Sequence, residues 1–497
     1  MPEPQPPTPE LADESIPYGR RLTALASDDP AGTALTVVHR DGTETTLTWA
    51  GLEHAANQWA RVLQASGVHQ GDMVALSIPN SVELVVAALA TWKVGAIPIP
   101  MRWDLPDWEH QRLLDVIKPA LEISENNLTA LADSAQREDD AAMPEIVSPA
   151  LNGICSSGST GLPKIILNTA PAMWTQAHCV PFMAQWAPVS QPQTILVPAP
   201  MYHTNGFNTL NYLLGGDHLV VLEKFDAAMV LDTIERHRIT TFTATPTMLA
   251  RIADVPGVED RDLSSVEWIL QGAAVMPPNL LRRWFELLSP ERVVMAYGMT
   301  ENLGLTALRG DEWLNHPGSV GKGFRDTEIR VVDDHGNTVG PGVLGEIYLR
   351  APMNDQYRYI GGAAPLPRTP EGFASAGDIG YLDADGYLYI ADRRTDMIIT
   401  GGANVFPAEV ESALIDHPEV ADVVVIGVAD PEWGRRVHAV VQPVDVAHPP
   451  TEQAVIAYAK DRLAAYKVPK TVEFVDEIPR SAATKVNRSA MVQARGG

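Results

Sequence analysis

Between residues 52 and 65 the apolar side chains recur every three or four positions, the spacing of one face of an amphipathic helix. The short run Val74-Ala75-Leu76-Ser77-Ile78, ended by Pro79-Asn80, predicts a buried strand. A second helical run over 81–93 and a strand over 96–100 follow. The alternation continues through apolar runs at 194–197, 218–222, 240–244 and 268–270. Strands alternating with helical segments predict an α/β fold of layers built on largely parallel sheets. Residues 136–149 are acidic and short of large apolar side chains, and read as a surface connection.

From Gly318 the texture changes. The runs 329–332, 345–349 and 387–390 predict short antiparallel strands, separated by turns such as Asp334-His335-Gly336-Asn337. Beyond Arg393 a compact α+β segment is expected, with helices over 407–415 and 452–463 and strands over 420–428 and 438–443. The expected division is a large N-terminal domain over 1–392, with about the first 15 residues flexible, a hinge at 393–396 and a small C-terminal domain over 397–497.

Composition narrows the function classes. The chain has 497 residues, 45% hydrophobic and 20% charged, an ordinary globular balance. With 37 basic against 62 acidic side chains it carries −25, which argues against a nucleic-acid or anionic-membrane surface. Any bound phosphate must therefore be met by local cations and backbone amides against a repulsive field. Two cysteines, Cys155 and Cys179, imply a reducing compartment and buried thiols rather than a disulfide framework. Residues 1–10 lack the basic start and apolar core of a signal peptide. The most apolar run, 82–92, is too short to span a bilayer, so a cytoplasmic location is expected.

The chemistry concentrates at Ser156-Ser157-Gly158-Ser159-Thr160-Gly161-Leu162-Pro163-Lys164. Glycines let backbone N–H groups close around phosphate oxygens, the hydroxyls donate further hydrogen bonds, and Lys164 supplies charge. The spacing differs from the common P-loop, since Pro163 stands five residues after Gly158 and nothing hydroxylated follows Lys164. Four further segments follow in order. They are Tyr297-Gly298-Met299-Thr300-Glu301, Ser375-Ala376-Gly377-Asp378, Asp392-Arg393 leading to Gly401-Gly402-Ala403-Asn404-Val405-Phe406-Pro407, and Pro479-Arg480-Ser481-Ala482-Ala483-Thr484-Lys485. From about Thr48 to Arg488 the chain thereby resembles the acyl- and aryl-CoA synthetase, adenylation-domain and luciferase superfamily, with acyl-CoA ligases the nearest in pattern.

That resemblance implies a large domain of layered sheets with a small β-barrel, and a small C-terminal domain that moves over the site. It implies activation of a carboxylic acid by Mg·ATP as an acyl-adenylate, with pyrophosphate released. Ser156 to Lys164 would cradle the β- and γ-phosphates, Thr160 closest to them. Glu301 would coordinate Mg²⁺ and Thr300 would bond the α-phosphate. Tyr297 would stack on adenine, with Gly272-Ala273-Ala274 covering the other face and Ile390 at the ring edge. Asp378 and Arg393 would hold the ribose. Lys485 would insert where charge accumulates between the carboxylate and the α-phosphate. Thr484 stands where relatives usually carry glycine, and Thr395 where relatives mostly have aspartate or lysine at the hinge.

By the same resemblance Pro200-Met201-Tyr202-His203-Thr204-Asn205-Gly206-Phe207 lines the acid site, with His203 as gate or acid contact and Phe207, Thr245, Gly298 and Met299 as neighbours. No cation for a second carboxylate and no anion for an ammonium stands out, which favours an apolar aryl, fatty or polycyclic acid. Gly401, Gly402 and Phe406 would border the tunnel for the CoA thiol, with Trp433-Gly434-Arg435-Arg436 and Tyr466-Lys467 toward its nucleotide. Three acceptors stay open: CoA, an amine as in stand-alone amide bond synthetases, or a carrier protein. The identity of the acid and the oligomeric state are not written in these residues.

Overall fold

Thr48 and Ser81 start the two helices that the apolar spacing marks. The Thr48 hydroxyl accepts from the Gly51 amide and the Ser81 hydroxyl from the Leu84 amide, both at 3.1 Å, so each satisfies an orphan donor of a helix N-terminus. The helices run Trp49–Ala65 and Val82–Lys93. In the computed structural model the described residues are 15–157, 163–352, 354–393, 396–400, 403–480 and 486–495. The chain divides into two compact units, one of residues 1–243, 260–269 and 356–364, the other of 244–259, 270–355 and 365–497.

In the first unit, His218–Leu222 lies between Thr194–Val197 and Thr33–Val38, all parallel. Glu44–Thr48 runs antiparallel at the edge of Thr33–Val38. A second parallel sheet places Met73–Ser77 between Ile97–Pro100 and Leu121–Ser124. The helix Val82–Lys93 is buried along most of its length, as its nearly continuous apolar sequence requires. A third sheet is a hairpin, Asn152–Ser157 with Pro163–Asn168, joined on its other side by Tyr357–Ile360. Residues 136–149 contain no helix or strand, as expected of a surface connection. The helix Tyr18–Asp28 escapes the pattern, because only Tyr18 and Leu22 are buried on it.

Two buried polar groups tie this unit together. Lys93 and Glu53 are 3% and 5% exposed and pair at 2.8 Å, while Glu53 also accepts from Thr23 and Asn57. Lys93 further donates to the Gly19 carbonyl, so the pair links three helices. Asn80, in the turn before Val82–Lys93, donates to the carbonyls of Ala199 and Leu222 at 3.1 and 3.0 Å. Its own carbonyl accepts from the Met201 amide at 2.8 Å.

The second unit contains antiparallel pairing earlier than the Gly318 boundary suggested. Val293–Gly298 pairs with Leu305–Arg309, which pairs with Lys322–Phe324. The link between the first two strands is too short for a crossover, so they form a hairpin. Glu328–Val332, Gly345–Arg350, Asp378–Leu382 and Leu388–Arg393 form a four-stranded antiparallel sheet. Farther along, Val420–Asp430 and Gly434–Pro443 make a long hairpin joined in parallel by Thr471–Phe474. Helices Pro407–Leu414 and Glu452–Lys460 cover it, and Val410, Leu414, Val425, Ala439 and Val455 share a separate core. The second helix stops three residues short of expectation. Among the described residues no helix is long and apolar enough to cross a membrane.

The Lys93–Glu53 pair yields a stability test. Lys93→Met leaves a buried carboxylate uncompensated and is expected to cost about 3–5 kcal/mol in urea unfolding, whereas Lys93→Met with Glu53→Leu recovers most of that loss.

Candidate active site

The phosphate segment enters on the strand Asn152–Ser157 and leaves on Pro163–Asn168, with Ser156 opposite Lys164 and Ser157 opposite Pro163. The expected ligands Gly158, Ser159, Thr160 and Gly161 lie outside the described residues, as do the side chains of Ser156 and Ser157. Lys164 is described, and its ammonium sits 4.2 Å from the ring centre of Tyr359. On the same hairpin, burial pushes the Cys155 thiol up to about 12, so it is neutral at ordinary pH.

In the same unit, the segment expected at the acid site is fixed from beneath. Asn80 holds Ala199 and Met201, and the amides of Gly206 and Phe207 bond the His203 carbonyl at 3.1 and 2.9 Å. Gly206 has no room for a side chain, since a Cβ would meet the Pro200 carbonyl oxygen at 2.5 Å. His203 is half-buried, and its ring lies 4.4 Å from that of Tyr202. Phe207 belongs to the hydrophobic core of the unit. At 1% exposure it packs 5.9 Å from Trp92 and supports the segment.

The second unit holds the other half of the expected site around a cleft of about 2520 Å³. Gln271, Ala273, Ala274, Tyr297, Gly298, Met299, Asp378 and Ile390 line it. Tyr297 and Gly298 end the strand Val293–Gly298, and Thr300-Glu301 form the turn that follows. That turn closes by the Asn302 amide donating to the Met299 carbonyl at 3.0 Å. Glu301 is 9% exposed, a buried carboxylate at the head of a hairpin. One carboxylate of this kind suits Mg²⁺, which takes one or two from protein and the rest of its oxygens from phosphates and water.

Tyr297 donates its hydroxyl to Asp378 Oδ2 at 2.6 Å. Asp378 is 5% exposed, the first residue of its strand, and follows Gly377, whose φ of +84° favours glycine. The Ser375 hydroxyl, fully buried, accepts from the Gly377 amide and fixes this turn. Arg393 ends the strand opposite, paired with Asp378, though its side chain lies outside the described residues.

Gln271 is a residue the sequence pattern missed. Its amide nitrogen donates to the carbonyls of Ala274 at 2.6 Å and Gly272 at 3.3 Å, clasping the Gly272-Ala273-Ala274 turn. Ala273 stands at φ +72°, a strained conformation for a residue with a Cβ, and the clasp holds it there. A polar residue ending an otherwise apolar strand was the available signal. Thr245 is 6% exposed, and its hydroxyl accepts from the Met248 amide to cap the helix Pro246–Ala253.

Gly401, Gly402, Thr395, Thr484 and Lys485 lie outside the described residues, whereas Phe406 is described and lines the cleft. The chain on either side of 481–485 is anchored. Arg480 forks onto Asp422 at 2.6 and 2.7 Å. One terminal nitrogen of Arg488 donates to both carboxylate oxygens of Glu411, at 2.6 and 2.8 Å, and the other reaches Asp396 at 3.4 Å. Of the residues expected near a CoA nucleotide, Lys467 is paired with Glu409 at 2.6 Å, and Trp433 is exposed.

Comparison with known proteins shows the family and the fold. Residues 24–355 match the AMP-binding enzyme family and residues 409–485 the AMP-binding enzyme C-terminal domain. An indoleacetate–CoA ligase of Aromatoleum aromaticum is 31% identical over 505 residues, covering 94% of this chain and 95% of that protein. The o-succinylbenzoate CoA synthetase of Bacillus subtilis, solved with the acyl-adenylate OSB-AMP, has a TM-score of 0.83 at 28% identity, covering 97% of this chain and 99% of that one. The amide bond synthetase McbA of Marinactinospora thermotolerans has a TM-score of 0.77 at 26% identity, covering 96% and 99%. The chain belongs to the AMP-binding enzyme family, as an AMP-forming ligase of the acyl-CoA synthetase type.

Proposed function

We propose that this enzyme joins a largely apolar aryl, fatty or polycyclic carboxylic acid to the α-phosphate of ATP, then passes the acyl group to CoA. The observation that carries the reading is the wall of the cleft, where Tyr297 is bonded to Asp378 beside the Gln271-clasped turn. A flat aromatic, close backbone and a buried carboxylate are the groups that a base and two ribose hydroxyls need. The likeness to an indoleacetate–CoA ligase supports an aryl acid.

A carboxylate is a poor electrophile, and joining it to AMP supplies a good leaving group. In this reading Ser156 to Lys164 hold the β- and γ-phosphates, Thr300 bonds the α-phosphate, and Tyr297, Asp378, Ile390 and Arg393 hold adenosine. Mg²⁺ bound with ATP neutralises phosphate charge, and Glu301 is its protein ligand. Lys485 meets the charge that builds as the carboxylate oxygen approaches phosphorus. His203, with Thr245, Gly298 and Met299, borders the acid. Residues 1–392 form the larger domain and 397–497 the lid, with 393–396 as hinge. Rotation there would bring Gly401, Gly402 and Phe406 beside the incoming thiol.

An amine acceptor is the second reading. The likeness to McbA over nearly the whole chain favours it, and Thr484 alters the residue just before Lys485. Mass spectrometry of products from Mg·ATP and pooled carboxylic acids, with CoA, with amines or with neither, separates the two. A thioester mass is expected, and an amide formed without CoA would make the second reading correct.

Lys485→Ala is expected to slow adenylation by at least ~10²–10³ while sparing CoA attack on a supplied acyl-adenylate, and equal loss of both half-reactions would remove that role. Tyr297→Phe keeps the ring but removes a hydrogen bond to a buried charge. It should raise the ATP KM about tenfold or more in ATP–pyrophosphate exchange, with the acid KM unchanged.

A further inference from the structure

We propose that Tyr359 is a positioning residue for Lys164, holding the lysine's charge in place for the phosphates of ATP. The inference rests on the phosphate-binding role assigned to Lys164 above, and it assigns a task to a strand that none of the five sequence segments contains.

The sheet register brings the two side chains together. Tyr359 lies opposite Ile166 on the strand Pro163–Asn168, and Lys164 is two residues before Ile166. Side chains two apart on a strand share a face, so Lys164 is the diagonal neighbour of Tyr359, within reach of a long side chain. The lysine ammonium lies 4.2 Å from the ring centre, inside the range of a cation–π contact. Tyr357, two residues earlier on the same face, packs its ring edge-on to Tyr359 at 5.5 Å and 64°. Ile166, 4% exposed, sits directly opposite Tyr359. The ring is therefore itself supported.

What an aromatic ring does for a lysine differs from what a carboxylate does. A carboxylate neutralises the ammonium and competes with phosphate as an anion. The ring's quadrupole orients the ammonium and leaves it fully charged, with N–H donors on the side away from the ring. A lysine side chain otherwise loses its rotamer freedom when it binds a ligand, and that loss weakens binding. In a chain of net charge −25, keeping one cation ordered at the phosphate hairpin has a direct effect on affinity for a polyanion.

The test is a double-mutant cycle read by calorimetric titration of Mg·ATP and by ATP–pyrophosphate exchange. Tyr359→Leu is expected to weaken Mg·ATP binding about fivefold, equivalent to about 1 kcal/mol, and to leave the acid KM unchanged. Tyr359→Phe retains the ring and should stay within about twofold of the unaltered enzyme. On a Lys164→Met background Tyr359→Leu should cost nothing further, because the group it positions is gone. A merely structural role predicts the same loss on both backgrounds, and that result, or parallel rises in both substrate KM values, would overturn the proposal. Should Tyr359→Leu unfold early in thermal melting, Tyr359→Met replaces it in the cycle. Normal Mg·ATP binding with no exchange for any acid would sink the proposed reaction while the cycle still decides the role of Tyr359. Absence of Mg·ATP binding in the unaltered enzyme would sink both.

Discussion

Asn80 uses its amide nitrogen and its carbonyl oxygen on the backbone of three buried residues, Ala199, Leu222 and Met201. Through Ala199 and Leu222 it joins the ends of two neighbouring parallel strands, and through Met201 it fixes the start of the segment that carries His203. A buried side chain that is fully bonded specifies one arrangement, since any shift leaves several polar groups unpaired at once. The acid segment thus inherits its position from the core of the unit. Gly206, which lies against the Pro200 carbonyl, completes the constraint from the other side.

The second unit reaches rigidity by different means. Its cleft wall combines strand ends with the turns beside them, and single side chains fix these pieces. Gln271 clasps 272–274, Ser375 holds Gly377, and Tyr297 holds Asp378. Strain at Ala273 persists because the clasp over-determines it. A wall built this way keeps backbone and small residues at the cleft surface and holds the Asp378 carboxylate in one orientation. The carboxylate pairs of Arg480 and Arg488 extend the same principle to the chain flanking 481–485.

Much of this was legible in the sequence. The strands 194–197 and 218–222 and the helix ending at Lys93 follow directly from apolar runs and capping residues, and the motif order identified the family. Tyr297, Asp378, Ala273 and Ala274, far apart in the chain, line one cleft. The packing of Phe207 against Trp92 was not legible, because a phenylalanine in such a segment carries the same pattern whether it faces a cavity or the core. Gln271, Asn80 and Tyr359 went unnoticed for another reason. Their importance lies in partners distant along the chain, and no local period encodes a hydrogen bond from residue 80 to residue 222. The early hairpin at 293–309 was hidden by apolar runs that serve parallel and antiparallel strands equally well.

The strand Tyr357–Ile360 also has a consequence for how the protein is made. It completes the sheet of the phosphate hairpin, yet it pairs with Pro163–Asn168 from far downstream. On a ribosome adding about 5–20 residues per second, the hairpin waits on the order of ten seconds or more for its third strand. During that interval the outer edge of Pro163–Asn168 is an open template for foreign strands. Ile165, Ile166 and Leu167, all buried in the finished fold, form its apolar centre. The sheet that carries the glycine-rich turn is thus a point of exposure to chaperones and to aggregation in the nascent chain.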